Sequence, residues 1–393
     1  MSTNSVQSTL DFIPKTGDGS TLVRGKSSSP ARILHIGKYY PPHVGGIETY
    51  LRYLVSHQSS FLQVEVVVAN DRCVTQTEVV DGARITRVAS FGTLASQPIC
   101  PSLPWNLAGR GKTMVHLHLP NPWAAQAYLM SGHKGKLIVS HHADTLGRRH
   151  LRRFVDHFVR RVMKRAAAII VASKRYLESS EELVNFHDKC HVFPYGIDVE
   201  AFKAESLPEV HAICAKYGPR LIVAVGRMVP YKGFDVLLRA MKDIDATLLL
   251  IGTGPLQVQL KTAINTLGIA GKVHMLGHVE DLVPYYKAAQ LLVLPSVSRS
   301  ESFGLVQLEA MAAGIPVVNT EIDSGVPEVS LHGVTGITVP PKDSKALAHA
   351  VTILLDDGET RRMYGQAALK RAREEFTAQR MAESTFRVYG SVL

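Results

Sequence analysis

Short β-rich runs punctuate this chain at regular intervals, with longer amphipathic stretches between them. In the first half the runs are Arg32–Gly37, Val64–Ala69, Met114–Leu119, Leu137–His141, Ala168–Ala172 and His191–Phe193. In the second they are Leu221–Val225, Ala246–Ile251, Lys272–Met275, Leu291–Leu294 and Pro316–Asn319. Runs rich in Val, Ile and Leu on both faces belong to sheets covered on both sides. Helical segments between them imply parallel βαβ units. Each half therefore reads as a doubly wound α/β domain, and two such domains face each other across a cleft. The division expected is a flexible leader over 1–30, an N-terminal domain over 31–200, a linker over 201–217 and a C-terminal domain over 218–375. A helical run from about Asp343 to the end is long enough to return, with 376–393 reaching the first domain.

One amphipathic stretch stands apart. Leu151, Phe154, Val155, Phe158, Val159, Val162 and Met163 form an apolar face at helical spacing. The same segment holds eight cations, Arg148, Arg149, Arg152, Arg153, Arg160, Arg161, Lys164 and Arg165, against the single acid Asp156. It thus supplies seven of the ten net positive charges of the 393-residue chain. A basic amphipathic helix suits an anionic membrane surface. A domain helix with its apolar face in the core and a basic outer face fits the same pattern. No nucleic-acid recognition motif accompanies the charge, so nucleic acid is not an expected partner.

Composition adds limits. The hydrophobic fraction of 46% supports two ordinary cores. No apolar run approaches the roughly 20 residues of a membrane-spanning helix. The first thirty residues are polar and lack the apolar centre of a secretory signal, which reads as a cytoplasmic protein. Cys73, Cys100, Cys190 and Cys214 are too scattered for a zinc ribbon or a disulfide framework.

Four constellations carry candidate chemistry, each where a strand ends and a loop opens. After the first strand come Lys38-Tyr-Tyr-Pro-Pro-His-Val-Gly-Gly-Ile-Glu48 and then a helix. Adjacent Gly45 and Gly46 let backbone N–H groups approach a ligand, and a helix N-terminus favours an anion; a plain tight turn explains the pair equally well. After Leu221–Val225 comes Gly226-Arg-Met-Val-Pro-Tyr-Lys-Gly233, where Arg227 can grip a phosphate by two bonds and Lys232 adds a point charge. Third is Ser300-Glu-Ser-Phe-Gly-Leu-Val-Gln-Leu-Glu309. Glu301 falls in a loop and Glu309 inside the next helix, whose first N–H groups belong to Phe303, Gly304 and Leu305. A diphosphate and sugar hydroxyls fit there. Fourth are His116 and His118 on one strand face, and His141 and His142 at the end of the next, with Asp144 beyond. Their spacing differs from usual zinc patterns, so one or two contacting sugar hydroxyls or phosphate, with the others packing, is favoured over a metal.

Together these elements resemble the family-4 retaining glycosyltransferases of GT-B fold, over nearly the whole chain from about Ala31. The specific parts are Gly45-Gly46 with Glu48, Gly226-Arg227…Lys232-Gly233, Gly252-Thr-Gly254-Pro255, and above all Glu301-x7-Glu309. Pro194-Tyr-Gly-Ile-Asp198 is similar to the family's Pro-Asn-Gly-Val-Asp crossover, with Tyr195 departing at its second position. The resemblance implies two Rossmann-like domains, the first acceptor-side and membrane-contacting, the second nucleotide-sugar-binding. It implies that Arg227 and Lys232 hold the donor diphosphate and Glu309 the ribose. Glu301 and the amides of Phe303, Gly304 and Leu305 would bind the transferred sugar, Gly46 would close against phosphate, and His118 or His141 would lie beside the sugar. The family is usually metal-independent, and Asp243-Ile-Asp245 reads as a surface turn rather than a manganese site. Locally the chain looks closest to bacterial exopolysaccharide mannosyltransferases that use GDP-mannose and a cellobiosyl-diphosphopolyprenol acceptor. That implies a peripheral protein of the cytoplasmic face of the inner membrane. UDP-glucose or UDP-galactose donors, lipopolysaccharide or glycolipid acceptors, and a GT-B nucleotide-sugar epimerase are the alternatives.

Overall fold

The computed structural model describes residues 32–94, 97–145, 149–203 and 207–393, with the side chains of 149–155 and 207 excepted. The expected leader over 1–30 and Arg148 lie outside the described residues. The first half runs β1 (Arg32–Ile36), α1 (Gly46–Gln58), β2 (Gln63–Ala69), β3 (Gln76–Val80), β4 (Ala83–Val88), β5 (Thr93–Leu94), β6 (Gln97–Pro98), α2 (Leu103–Ala108), β7 (Met114–Leu119), α3 (Pro122–Met130), β8 (Leu137–His141), α4 (Arg149–Arg165), β9 (Ala168–Val171), α5 (Lys174–Ser179) and β10 (Cys190–Val192). The second runs α6 (Leu207–Tyr217), β11 (Leu221–Val225), α7 (Phe234–Ala240), β12 (Thr247–Ile251), α8 (Gln257–Thr266), β13 (Val273–Gly277), α9 (Val283–Ala288), β14 (Leu291–Val293), α10 (Leu305–Ala312), β15 (Val317–Thr320), α11 (Val326–Val329), β16 (Gly336–Val339), α12 (Ser344–Asp356), α13 (Gly358–Glu375) and α14 (Ala378–Val392).

The strands form an eight-stranded sheet in the order β10-β9-β8-β7-β1-β2-β4-β3 and a six-stranded sheet in the order β13-β12-β11-β14-β15-β16. Among the described residues, neighbours in these two sheets pair parallel except β3 on β4, and β5 and β6 form a separate antiparallel pair. Both sheets are doubly wound, as the unalternating apolar runs predict. Three features differ from the sequence reading. The β3–β4 hairpin, the short β5–β6 pair and β16 are additional strands. The expected linker over 201–217 contains α6, because Ile213 buries against Leu221, Leu249 and Ala288 and ties that helix to the second half. The single helical run expected from about Asp343 is three helices. Asp357 interrupts it by accepting from the backbone N–H groups of Glu359 and Thr360, and Thr377 caps α14 by accepting from that of Arg380. Such caps contribute about 1 kcal/mol each. All four cysteines are free thiols.

The chain crosses between halves twice, and the crossings are hydrogen-bonded to each other. Ile197 N donates to Phe376 O at 2.9 Å and Ala378 N to Ile197 O at 2.8 Å. Gly196 is required there, since a Cβ would run into the backbone of Thr377. Beyond the second crossing α14 packs on α1, and one apolar cluster continues from Tyr50 and Tyr389 through Tyr195 to Phe303 and Phe376.

The interior of the first half is unusually polar. His35, His116, His118 and His142 are all at most 2% exposed. Sheet register sets His35 beside His116 and His118 beside Ser140. Gln58 Oε1 accepts from His35 Nε2 at 2.9 Å, so the Nδ1 of a neutral His35 accepts from His118 Nε2 at 3.0 Å. The same logic runs on: His118 Nδ1 accepts from His142 Nε2 at 3.1 Å, and His142 Nδ1 accepts from the Tyr195 hydroxyl at 2.5 Å. In the other direction Gln58 Nε2 donates to the Tyr389 hydroxyl at 3.2 Å, which donates to His116 Nδ1 at 2.7 Å, and His116 Nε2 donates to Ser140 Oγ at 2.8 Å. Every ring nitrogen has one partner and no histidine needs a second proton. Burial lowers His35 to about 4 and His142 to about 3, and pushes His116 and His118 well below the usual range.

These groups make stability fall with acid. Below pH 6.5 the unfolded chain binds protons on four histidines that the folded chain leaves neutral. Stability therefore rises with pH from about 4 to 6.5, by up to about 1.4 kcal/mol per unit for each histidine. Glu309, which burial raises to about 7, and Glu48, also raised, work in the opposite sense. Two carboxylates against four histidines leave a net loss between pH 7 and 5. Urea unfolding at pH 7, 6 and 5 should show a falling midpoint, and a constant one contradicts neutral burial.

Candidate functional site

Lys232 and Glu301 meet at the centre of the site. Lys232 Nζ lies 2.6 Å from Glu301 Oε2, with both side chains about nine-tenths buried. Ser296 Oγ donates to the same oxygen at 3.1 Å. The Lys232 stem crosses Gly226, whose φ of 154° and lack of a Cβ let it pass. Gly254 packs on the backbone of Met228, so the Gly252-Thr-Gly254 turn braces the Arg227 loop. Arg227 is exposed.

Glu301 leads directly into α10. Gly304 caps that helix with φ 75°, a left-handed conformation suited to glycine. The N–H groups of Phe303, Gly304 and Leu305 lie where the helix begins, while the Phe303 ring is only 2% exposed. On the same helix Glu309 accepts from the Tyr286 hydroxyl at 2.7 Å. Burial raises its carboxyl to about 7, against the opposing pull of Tyr286 and Lys232. Tyr53 of α1 is raised to about 12 by burial and by the nearby charge of Glu309, which places the first half beside this carboxylate.

Facing α10 is the N-terminus of α1. A Cβ on Gly46 would lie 3.9 Å from Leu305 Cδ1, so Gly46 and Leu305 confront each other between halves. The Glu48 carboxylate folds over Gly45 into the space a Cβ would fill. Burial raises Glu48, opposed by His43, Lys38 and Arg227; burial lowers Lys38, with Glu48 opposing and Arg227 adding to the shift. Lys38, Glu48 and Arg227 are thus one electrostatic group drawn from both halves. The N-termini of α1 and α10, with Lys38 and Arg227, attract an anion here.

The histidines sit apart from this group. His118 is inside the neutral chain described above with both nitrogens engaged. His141, 1% exposed, bonds Glu182 Oε2 through Nε2 at 2.9 Å and the Tyr176 hydroxyl through Nδ1 at 2.9 Å. Burial would raise Glu182, but bonds from His141 and Thr145 outweigh it and hold the carboxyl below its usual value. Two triads, His35–His116–His118 and His141–Asp144–Glu182, have donor atoms close enough for a metal ion. In the first, every nitrogen already has a hydrogen-bond partner; in the second, the Arg299 guanidinium lies 3.4 Å from Asp144 and disfavours a further cation. Asp243 and Asp245 are exposed on a turn ahead of β12.

Contacts absent from the sequence reading close the halves at the rim. Arg175 of α5 pairs with Glu321 and Asp323, and its N–H donates to Glu328 at 2.8 Å. Arg299, two residues before Glu301, reaches back to Ser179 O and Glu181. Tyr286 and Ser296 were equally unforeseen, although Ser296 lies in the loop that carries Glu301.

Of the eight cations expected on a membrane-facing surface, Arg149, Arg152 and Arg153 are on α4 with side chains outside the described set, as is Arg148. Arg160, Arg161 and Lys164 are exposed, while Val159, Val162 and Met163 are buried in the core of the half. Arg165 donates to His133 O and lies 5.3 Å from the Tyr128 ring centre, so it is partly committed internally. Among the described residues no helix is long and apolar enough to cross a membrane.

Known proteins match both halves. Residues 44–201 match the family model described as Glycosyltransferase Family 4, and residues 209–371 that described as Glycosyl transferases group 1. The chain is 32% identical over 267 residues to D-rhamnosyltransferase WbpZ of Pseudomonas aeruginosa, covering 67% of this chain and 70% of that protein. It is 26% identical over 369 residues to O-antigen chain mannosyltransferase C of Escherichia coli, covering 92% and 99%. The structure of Anabaena HepE in complex with UDP and glucose superposes with a TM-score of 0.75 at 19% identity, covering 92% of this chain and 100% of that one. That likeness is one of fold, two facing Rossmann-like halves. The similarity along both halves places this chain in the family-4 glycosyltransferases, with the GT-B fold.

Proposed function

We propose that this glycosyltransferase is a retaining hexosyltransferase that moves mannose from GDP-mannose onto a polyprenyl-diphosphate-linked, cellobiosyl-type oligosaccharide in bacterial exopolysaccharide assembly. The observation that carries the donor reading is the buried Lys232–Glu301 pair just ahead of α10, the helix whose Leu305 faces Gly46 of the other half. Arg227 and Lys232 take the diphosphate, Glu309 the ribose, and Glu301 with the amides of Phe303, Gly304 and Leu305 the sugar. As the bond to phosphate breaks, charge grows on the leaving oxygens while the sugar becomes oxocarbenium-like. Fixed cations at that position stabilise the transition state without a metal. His118 and His141 hold the acceptor-side wall in place. Mannose is favoured by the name of the full-length Escherichia coli relative. The complex of HepE with UDP and glucose favours a UDP-sugar as the second reading.

Membrane attachment is proposed as peripheral, on the cytoplasmic face of the inner membrane. α2, α3 and α4 cover one face of the first sheet, and that layer presents Arg160, Arg161 and Lys164 together with exposed Trp105 and Met130. Each Lys or Arg near an anionic leaflet contributes about 1 kcal/mol, which salt screens.

Three outcomes are expected. Incubation with radiolabelled GDP-mannose, UDP-glucose or UDP-galactose over bacterial lipid extract should label lipid from one donor, undiminished in excess EDTA. Loss in EDTA restored by manganese or magnesium defeats the metal-free mechanism, and an epimerised sugar formed without acceptor defeats transfer. Lys232→Ala should lower kcat/KM by about 2.7–4 kcal/mol of transition-state stabilisation, more than Glu309→Asp; the reverse order means the diphosphate lies elsewhere. The protein should sediment with anionic but not neutral vesicles, and replacing Arg152, Arg153, Arg160 and Arg161 by Gln should release it with donor binding intact. Equal sedimentation of both proteins rules out the cations as the anchor.

A further inference from the structure

Tyr195 is where this chain leaves its family's crossover pattern, and the structure places it between the buried histidine chain and the donor loop. It is 7% exposed. Its ring centre lies 4.6 Å from Tyr50, 5.5 Å from His142 and 4.7 Å from Phe303. Phe303 in turn meets Phe376 edge to face, with ring centres 6.3 Å apart. The aromatic row Tyr50–Tyr195–Phe303–Phe376 therefore passes from the first half, through one crossing, to the donor loop and on to the second crossing.

The hydroxyl of Tyr195 has one role open to it. Gln58 fixes the direction of every bond in the histidine chain, and that direction ends with His142 Nδ1 as an acceptor. Tyr195 must donate, at 2.5 Å, which fixes its hydroxyl, while Tyr50, His142 and Phe303 pack against its ring. Asparagine, the family residue, is too short to fill the gap to Phe303 and reach His142 together. Phe303 has only 2% exposure and packs on Tyr195 and Phe376, so a shift of its ring presses on the backbone that carries it. That backbone supplies the first N–H of the series that opens α10, directly ahead of Gly304 and after Glu301.

We propose that Tyr195 is a positioning residue for the sugar-binding end of the donor loop. It acts through Phe303, and its own placement is set by the bond to His142. The proposal rests on the donor reading of residues 301–305 given above. The chain Ser140–His116–Tyr389–Gln58–His35–His118–His142–Tyr195 then serves as the rigid backing of that residue.

The test uses the full chain and a double-mutant cycle of Tyr195→Phe and Phe303→Leu, with Tyr195→Asn as a further variant. Three quantities are read: kcat/KM for the donor, affinity for the donor's nucleoside diphosphate alone, and the thermal midpoint. Tyr195→Phe should lower kcat/KM about tenfold and leave nucleoside diphosphate affinity within about twofold, because the sugar end of the loop is displaced and the ribose end is not. In the Phe303→Leu background the same change should cost less than about twofold, while losses in thermal midpoint stay additive. Equal fold losses in both backgrounds, or full activity of Tyr195→Phe, overturn the proposal and leave the donor reading standing. A wild-type protein that binds no nucleotide sugar overturns the donor reading and this proposal with it.

Discussion

The structure depends on the place where its two chain crossings touch. Ile197 and the segment around Thr377 are hydrogen-bonded like a two-residue fragment of sheet, and Gly196 is there because nothing larger fits. Two connections bonded side by side act as one pivot. Groups beside it pack on residues of both halves. Tyr195, Phe303 and Phe376 are such groups. Lys38, Glu48, Gly46, Arg227 and Leu305 meet between the halves as well, drawn from segments that start at the sheets' strand ends.

At the rim the halves are joined differently. Arg175 and Arg299 are each about one-third exposed and are surrounded by Glu321, Asp323, Glu181 and Asp144. Single pairs of this exposure contribute at most about 1 kcal/mol and weaken with salt. Their number matters more than their individual strength. The interface thus has an apolar, hydrogen-bonded pivot that salt does not reach and an ionic rim that it does.

Much of this was legible in the chain. Apolar runs marked the central strands because those strands are covered on both faces. They did not mark β3, whose Gln76-Thr-Glu-Val-Val is largely exposed, or β16, which opens on Gly336. The donor-side residues were legible because they lie close in sequence: Glu301 and Glu309 are carried by one loop and its helix. The histidine chain was not, because it is made by register. His35 meets His116, and His118 meets Ser140, only when three strands align, and Gln58 and Tyr389 come from helices 331 residues apart in sequence. The two histidines singled out for the sugar proved to have their nitrogens committed inside the protein. Periodicity placed them on the right strand ends without showing which way their partners lay.

The Lys232–Glu301 pair has a kinetic consequence. The Lys232 ammonium is neutralised by a carboxylate that shares its burial, so this cation is held in reserve while Arg227 stays exposed. On the proposed mechanism a diphosphate must take Lys232 from Glu301, and Glu301 turns to the sugar's hydroxyls. When the nucleoside diphosphate departs, Glu301 is at hand to reclaim the lysine. Affinity then measures an exchange between two anions rather than the capture of one, and the same carboxylate that greets the sugar hastens the exit of what remains.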